Sequence, residues 1–414
     1  MLRGSTTAIE YATQLLTLAV PSNSKTYAVP ESMSDFTLKL HLRISIGAIA
    51  MFLLKAWRSS AFGIYGYLNF TKSGFIAHSE RGKLHSPVMF IALISSLFIF
   101  LFVFGNPFRT NLIQNVTPSS EHSKKFNAED MQARIDGKNC IVTGANSGIG
   151  YATAQGLASR GATVYMVCRN KERGEAALSK IQSATGNQNV HLEVCDLSSV
   201  ADIKALASRF SSKDEPLHVN NAGLLESNRV TTSEGFEFNF AVNVLGTYSM
   251  TESLLPLLEK AAPDARVVTV SSGGMYTAPL TKDLQFSDGN FNGLEQYARN
   301  KRVQVALTEK WAEMYKNKGI GFYAMHPGWA ETPGVNRSLP DFSKSLSGKL
   351  RSMEQGADTV IWLALQPKEK LVSGAFYFDR AEVPKHLMLA GTSGSHALID
   401  SIVDNLRSLS AISS

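Results

Sequence analysis

Short, almost wholly apolar runs alternate with amphipathic helical patterns along the chain from residue 126 onward. Such runs are typical of parallel strands buried on both faces of a sheet. Because crossovers between parallel strands are right-handed, the alternation predicts an α/β fold: a doubly wound parallel sheet in three α/β/α layers, with ligands at the carboxyl ends of the strands. The runs predict strands at 139–143, 163–168, 190–194, 217–220, 266–271, 320–325 and 375–378, and the helical patterns lie at 149–160, 171–185, 199–211, 234–258, 295–317 and 353–365.

Residues 1–125 do not follow this alternation and contain two apolar segments. The first, at 44–54, is too short to span a bilayer, so it predicts either an interfacial helix or a buried amphipathic helix. The second, VMFIALISSLFIFLFVFG at 88–105, has eighteen uncharged residues and meets the length rule for a transmembrane helix. A buried core helix is the alternative for this second segment, although its composition favours the span.

The chain therefore divides into four predicted parts. They are an N-terminal extension at 1–80 with the short interfacial segment, an insert at 81–125 with the transmembrane helix and a polar linker, an α/β domain at 126–390, and a helical tail at 391–414. With the span present, we expect a membrane-associated protein whose α/β domain faces the cytosol. If the insert is absent from the native protein, we expect a cytosolic one.

Composition narrows the class of protein. Of the 414 residues, 44% are hydrophobic and 18% are charged, which describes a globular protein with a large core. The net charge of +6 is mild, and no dense Lys/Arg run predicts a nucleic-acid partner. Cys140, Cys168 and Cys195 each fall at or beside a predicted strand, which argues against a disulfide framework or a metal site and favours buried thiols in a reducing compartment.

A glycine-rich turn joins the first predicted strand of the domain to its first helix, in the sequence NCIVTGANSGIG from Asn139 to Gly150. Glycine permits tight turning and close approach of a ligand to the backbone, and the helix that follows directs unpaired N–H groups and its positive dipole end at the turn. The strand–turn–helix context indicates a dinucleotide site. We expect the pyrophosphate to contact Gly144, Asn146, Ser147, Gly148, Ile149 and Gly150.

The second predicted strand ends in VCRNKER, with no carboxylate where one would bind a ribose 2′-hydroxyl. Arg169 stands there instead and suits a 2′-phosphate, which predicts NADP(H) in preference to NAD(H), the alternative being a solvated basic turn. Asp196, followed by Leu197, ends the third strand and suits a contact to the adenine ring. The NNAG turn after the fourth strand is expected to pack against the ribose region through Asn221, Ala222 and Gly223.

Tyr297 and Lys301 stand four apart in YARNK, on one face of a predicted helix. A free tyrosine has a pKa of about 10, and a neighbouring ammonium lowers the pKa towards the range of a general acid or base. Ser272, after Ser271 at the end of the fifth strand, places a hydroxyl for a substrate oxygen. Asn243, in NVLG, offers an amide to hold a water or a backbone group near the lysine.

These motifs resemble the short-chain dehydrogenase/reductase family, in its non-extended branch. TGANSGIG, NNAG, NVLG, VVTVSS, YARNK and HPGW carry the resemblance, which covers about residues 127–390. It implies a Rossmann fold in which 126–390 is an NADP-binding catalytic domain. By resemblance Tyr297 is the general acid/base, Lys301 lowers its pKa and binds the nicotinamide ribose, Ser272 polarises the carbonyl and Asn243 completes the proton relay. Closure over the nicotinamide end is implied for Pro327, Gly328, Trp329 and Thr332.

The chain departs from the family pattern in the fourth strand, where it reads LHVNNAG in place of LHVLVNNAG. The loss of two residues keeps the in/out alternation but shortens a central strand by about 6.6 Å. Either Asn221 is misplaced, or the preceding helix slides to compensate.

A second departure lies upstream of the domain. The family passes almost directly from FTKSGF to EHSKKFNAEDM, whereas about forty residues intervene here, and family-like sequence begins near Met51. Our hypothesis is that 1–50 and 81–120 are extensions or retained-intron translation. Mass spectrometry of the native protein decides it, because peptides from 86–115 would contradict the hypothesis.

The sequence thus predicts an NADP(H)-dependent oxidoreductase, a carbonyl reductase or alcohol dehydrogenase that acts on an apolar small-molecule carbonyl or alcohol. Two alternatives stay open: an NADP-binding regulatory or scaffold protein with negligible turnover, and an epimerase, dehydratase or isomerase on the same scaffold. Family resemblance also implies a homodimer that pairs through the long helices at 234–258 and 295–317.

Overall fold

The structure is a computed structural model, and it describes residues 69–71, 74–76, 126–211, 217–287, 289–346, 348–387 and 390–412. The chain forms two compact units, 1–105 and 106–414. In the first unit β1 (Asn69–Thr71) pairs with β2 (Gly74–Ile76) in antiparallel fashion. The apolar segments at 44–54 and 88–105 lie outside the described residues. Within the residues that are described, every helix is too short or too polar to cross a bilayer.

The second unit is built on one eight-stranded sheet with strand order β10-β9-β8-β7-β6-β3-β4-β5. Seven strands run parallel and β10 is antiparallel to β9, so the predicted doubly wound parallel sheet is confirmed. Each predicted strand lies within one residue of its observed bounds. The strands are β3 (Asn139–Thr143), β4 (Thr163–Cys168), β5 (Val190–Val194), β6 (Leu217–Asn220), β7 (Arg266–Val270), β8 (Gly321–His326), β9 (Phe376–Phe378) and β10 (Ala381–Val383).

Helices cover both faces of this sheet. Successive side chains of a strand point to opposite faces, so each strand presents apolar side chains to the helices on both sides. In β3, Ile141 packs in a cluster with Phe210 and Leu254, whereas Val142 packs in a cluster with Leu157 and Val360. The helices are α1 (Gly148–Ala158), α2 (Lys171–Thr185), α3 (Val200–Phe210), α4 (Thr247–Lys260), α5 (Gly293–Met314), α6 (Pro333–Ser338), α7 (Pro340–Ser345), α8 (Met353–Leu365) and α9 (Ile399–Ile412).

The helix predicted at 234–258 differs from the prediction in its start and in its geometry. It begins at Phe238, because Gly235 has a φ of +84° and the Glu237 carboxylate accepts hydrogen bonds from the first free N–H groups of the helix. One helical turn (Phe238–Phe240) leads into a π-helical turn (Ala241–Gly246), and α4 follows. π-helical turns are rare in proteins, and those that occur often lie at functional sites.

The short fourth strand, β6, keeps its carboxyl end in register with both neighbours. Val219 pairs with Val142 of β3, and Asn220 pairs with Thr269 of β7. The backbone that follows β6 is then held by Thr143, whose hydroxyl accepts hydrogen bonds from the N–H groups of Asn221 (3.0 Å) and Ala222 (2.9 Å). These contacts argue against the first alternative raised by the sequence, a misplaced Asn221.

The helical tail predicted at 391–414 contains α9. Ile402 and Leu406 are buried with Trp311 of α5 and Tyr248 of α4 in one cluster, so the tail is packed onto the domain. Ser249 and Ser410 share a hydrogen bond of 3.1 Å at the same contact. This packing covers part of the helices through which pairing of two copies was predicted, and the homodimer stays a prediction.

We predict that Gly150→Ala lowers the free energy of unfolding by about 1–3 kcal/mol, the usual cost of overpacking. A Cβ at this position would lie 2.3 Å from Asn221 Nδ2 and 2.4 Å from the Gly144 carbonyl oxygen. Urea unfolding measures the change, and Gly394→Ala is the control, since a Cβ there meets nothing within 4 Å. Equal stability of the two variants would contradict the tight contact between the glycine turn and the NNAG turn.

Candidate active site

A cavity of about 900 Å³ opens at the carboxyl ends of the central strands, where α/β sheets bind their ligands. It brings together nearly all of the residues that the sequence singled out, while Gly150 and Asn243 lie behind its wall. The lining includes Gly144, Asn146, Ser147, Gly148, Ile149, Arg169, Asp196, Leu197, Asn221, Ala222, Gly223, Ser272, Tyr297, Lys301, Pro327, Gly328, Trp329 and Thr332. Their individual roles stay predictions.

The glycine turn forms one end of the cavity. Helix α1 begins at Gly148, and its N-cap residue Ser147 makes no side-chain capping hydrogen bond to the helix in this structure. The first N–H groups of a helix have no partner within the helix, and together with the helix dipole they favour an anion. The turn therefore fits a dinucleotide pyrophosphate, as expected from its sequence.

Two arginines lie at the end of the cavity near β4. Arg169 Nη1 is 3.8 Å from Asp196 Oδ2, and its guanidinium carbon is 5.9 Å from the centre of the Phe238 ring. The Arg169 side chain is 55% exposed, so this ion pair is weak and leaves the cation accessible to a ligand. Arg173, in the first turn of α2, also lines the cavity, although the sequence had suggested only Arg169 as a cofactor contact.

Helix α5 carries Tyr297 and Lys301 to the other end of the cavity. Lys301 is buried, and its Nζ donates hydrogen bonds to the Val270 carbonyl oxygen (2.9 Å) and to Gln304 Oε1 (3.0 Å). Nζ also lies 5.4 Å from the centre of the Tyr297 ring. The spacing of four residues therefore places both groups at one site, as the sequence predicted.

Two serines follow β7 and have different contacts. Ser271 Oγ donates to the Lys301 carbonyl oxygen at 2.9 Å, which ties the strand end to α5. Ser272 Oγ accepts from the Gly274 N–H at 3.1 Å and is hydrogen-bonded to Tyr297. Ser272 is therefore the serine placed beside the tyrosine hydroxyl.

Burial disfavours charge on both members of the Tyr297–Lys301 pair. It raises the pKa of Tyr297 to about 12, against which the hydrogen bond with Ser272 acts, and it lowers the pKa of Lys301 to about 7. The sequence had predicted that Lys301 lowers the pKa of Tyr297. In the structure the pKa of Tyr297 is raised instead, because burial has the largest effect on it and the Lys301 ammonium donates its hydrogen bonds to Val270 and Gln304.

Asn243 lies in the π-turn and is fully buried. Its side chain accepts from the Leu224 N–H (2.9 Å) and donates to the Leu224 carbonyl oxygen (2.8 Å), so it fixes the backbone that follows the NNAG turn. The backbone carbonyl oxygen of Asn243 accepts from Gln304 Nε2 at 2.7 Å. The sequence predicted an amide that holds a backbone group near the lysine but did not identify Gln304, whose only signal was its position three residues after Lys301.

His326 contacts the backbone next to Ser272. Its Nδ1 accepts from the Gly273 N–H at 3.0 Å, and burial lowers the pKa of His326 to about 3, so the ring is neutral. Sequence reasoning had noted this residue only within the HPGW motif. Thr332, in the segment expected to close over the nicotinamide, accepts from the Val335 N–H and caps α6.

Another wall of the cavity contains apolar side chains together with the polar Asn292, Glu295 and Arg337. Leu294 on α5 belongs to this wall and is 56% exposed. The apolar side chains of this wall are Leu224, Leu225, Val242, Leu294, Val335 and Leu339.

A second group of side chains lies away from the cavity, where Glu309, His386 and His396 approach one another closely enough to be considered as metal ligands. The sequence predicted no metal. The Glu309 carboxylate is already engaged by Lys385 and by His396 Nδ1 (2.9 Å), and these contacts tie the segment after β10 to α5.

Comparison with known proteins shows which family this chain resembles. The family described as short chain dehydrogenase matches residues 138–341. Dehydrogenase/reductase SDR family member 12 of Bos taurus is 46% identical over 291 residues, which cover 69% of this chain and 90% of that relative. Retinol dehydrogenase 11 of Homo sapiens is 35% identical over 252 residues, which cover 59% of this chain and 78% of that relative.

The fold also has a counterpart among solved structures. An uncharacterised protein from Mycobacterium paratuberculosis superposes with a TM-score of 0.54 at 25% sequence identity. The match covers 68% of this chain and 97% of that one.

Proposed function

Since the chain belongs to the short-chain dehydrogenase/reductase family, we propose that it is an NADP(H)-dependent oxidoreductase that interconverts an apolar carbonyl compound and its alcohol. The observation that carries the proposal is the layout of one cavity. Its first end has a glycine turn and two arginines suited to a dinucleotide phosphate. Its second end has Ser272, Tyr297 and Lys301 beside an apolar wall.

In the proposed reduction, the Tyr297 hydroxyl gives its proton to the substrate oxygen, and Ser272 donates a hydrogen bond to the same oxygen as negative charge develops there. NADPH, when bound, supplies the hydride. Lys301 provides a positive charge that favours the phenolate left on Tyr297, which offsets the cost of burying it. The apolar side chains of the wall would displace water from a bound substrate and so strengthen each of these interactions.

The proposed preference for NADP(H) depends on the basic end of the cavity. A 2′-phosphate is a strong acceptor for guanidinium groups, and Arg169 and Arg173 both line the cavity beside the N-terminus of α2. Among the residues that the structure describes, Asp196 forms an ion pair with Arg169, and it follows β5 rather than β4.

The proposed substrate class follows from the apolar wall. A relative that is 35% identical is named a retinol dehydrogenase, which acts on a long apolar alcohol, and the leucines near Tyr297 suit such a molecule. Membrane attachment through 88–105, with the catalytic domain facing the cytosol, would place the enzyme near substrates of this kind. We retain that attachment as a prediction.

A regulatory or scaffold protein with negligible turnover was favoured in the sequence only by the shortened fourth strand. The carboxyl end of β6 is in register, and Asn221 donates from Nδ2 to the Thr143 carbonyl oxygen at 2.9 Å. The oxidoreductase is therefore better supported than a regulatory or scaffold protein.

We predict that Tyr297→Phe reduces NADPH-dependent turnover of apolar aldehydes and ketones by at least about 100-fold, because it removes the proton donor. Binding of NADPH should change little. Tyr315→Phe is the matched control, since Tyr315 follows α5 and contacts Glu252 outside the cavity. Turnover by Tyr297→Phe at the wild-type rate would contradict the proposed role.

We also predict that Arg169→Asp shifts the ratio of NADPH to NADH affinity by at least about 10-fold towards NADH, since a carboxylate repels the 2′-phosphate and accepts from the ribose hydroxyls. Fluorescence titration of both nucleotides measures the ratio. Lys180→Asp changes the net charge equally from the exposed face of α2 and should leave the ratio unaltered. The assignment of Arg169 is wrong if both variants give the wild-type ratio.

A further inference from the structure

Gln304 is a fully buried polar residue that connects two parts of the catalytic end. It lies on α5 three residues after Lys301, so both side chains are on one face of the helix. Its Oε1 accepts from Lys301 Nζ at 3.0 Å, and its Nε2 donates to the Asn243 carbonyl oxygen at 2.7 Å and to Thr247 Oγ1 at 3.3 Å. One amide therefore bridges the lysine and the π-turn.

The partners of Gln304 fix which way its amide points. A backbone carbonyl can only accept, and a lysine ammonium can only donate. The reversed amide would oppose two oxygens at Asn243 and two donors at Lys301. Thr247 strengthens the assignment, because its hydroxyl already donates to the Asn243 carbonyl oxygen and has a lone pair left for Gln304. The side-chain amide oxygen of Gln304, Oε1, therefore faces Lys301.

In the described part of the chain the Lys301 ammonium donates its hydrogen bonds to neutral groups alone. Its acceptors are the Val270 carbonyl oxygen and Gln304 Oε1. Burial without a carboxylate partner lowers the pKa of Lys301, to about 7. Each neutral acceptor therefore has a large share in keeping this buried ammonium charged.

Other titratable groups on the elements around α5 are directed elsewhere. Tyr297, on the same helix, is the one whose ring lies beside the ammonium. The others have partners away from Lys301. The acceptors are Glu237, which accepts from Gln296, and His326, which accepts from Gly273. The donors are Tyr276, which donates to the Pro384 carbonyl oxygen, and Arg302, which donates to the carbonyl oxygens of Met275 and Lys385, while Asp400 of α9 forms an ion pair with Lys310.

We propose that Gln304 is a positioning residue, which holds the Lys301 ammonium beside Tyr297 and couples it to the π-turn that carries Asn243. As a role in catalysis this rests on the proposed oxidoreductase function. The same π-turn fixes the backbone of Leu224 through the Asn243 side chain, so Gln304 links the lysine to the wall of the cavity as well.

Two substitutions at Gln304 should move the charge of Lys301 in opposite directions. Gln304→Met keeps the length of the side chain and removes the acceptor, so the pKa of Lys301 should fall by about 0.5–1 unit. Gln304→Glu places a carboxylate at the same distance, so the pKa of Lys301 should rise by about 1 unit or more. Opposite shifts are a result that a merely structural role would not produce.

The measurement is the pH dependence of the reaction of Lys301 with acetic anhydride in the full chain, read by mass spectrometry of the peptide that contains it. Thr308→Val is the control, because it removes a buried hydrogen bond to the Gln304 backbone without touching the ammonium, and its midpoint should equal that of the wild type. The inference is overturned if folded Gln304→Met and Gln304→Glu proteins both label with the wild-type midpoint.

Turnover supplies a second and separable readout. In the oxidation of an alcohol, Gln304→Met should move the rising limb of the pH–rate profile upward by about 0.5–1 unit with little change in KM, since a less charged lysine favours the phenolate less. Labelling needs no substrate. Shifted midpoints in a protein without turnover would therefore refute the oxidoreductase while supporting the contact between Gln304 and Lys301.

Discussion

The hydrogen bonds of Thr143 are the constraint on which the rest of the site depends. Its buried hydroxyl donates to the Val219 carbonyl oxygen at 3.2 Å and accepts from Asn221 and Ala222, so its donor and both of its acceptor positions are used. Each such bond contributes about 1 kcal/mol, and a buried group left unpaired costs about 1–3 kcal/mol. This contact holds the turn after β6 against the glycine turn, although β6 is only four residues long.

From this contact the cavity extends in two directions with different chemistry. Towards α1 and α2 the surface offers helix N–H groups and guanidinium groups, which suit phosphates. Towards α5 it offers a serine, a tyrosine and a buried lysine beside leucines, which suit an apolar substrate with one reactive oxygen. The NNAG turn joins the two ends. The Asn243 side chain holds the backbone of Leu224 after the turn, and the Thr143 hydroxyl accepts from the backbone N–H of Asn221 at its start.

The sequence predicted the sheet well, because seven apolar runs with turn residues between them leave little choice of strand position. It singled out Ser272 at a strand end and Tyr297 on a helix, and both line one cavity in the structure. It failed where the outcome depends on partners distant in sequence. The hydrogen bond from Gln304 to Asn243 joins residues 61 positions apart, and no local sequence pattern predicts it or the π-turn. The pKa of Tyr297 was misjudged because burial cannot be read from the spacing of Tyr297 and Lys301.

The most direct test of this account is a fluorescence titration of NADPH into the full chain and into its Thr143→Val variant. Valine keeps the shape of threonine and removes the hydroxyl that holds the NNAG turn. We expect the wild-type chain to bind NADPH and the variant to bind at least about 10-fold more weakly, with unfolding still cooperative. Failure of the wild-type chain to bind NADPH would contradict the claim that the short fourth strand preserves a dinucleotide site.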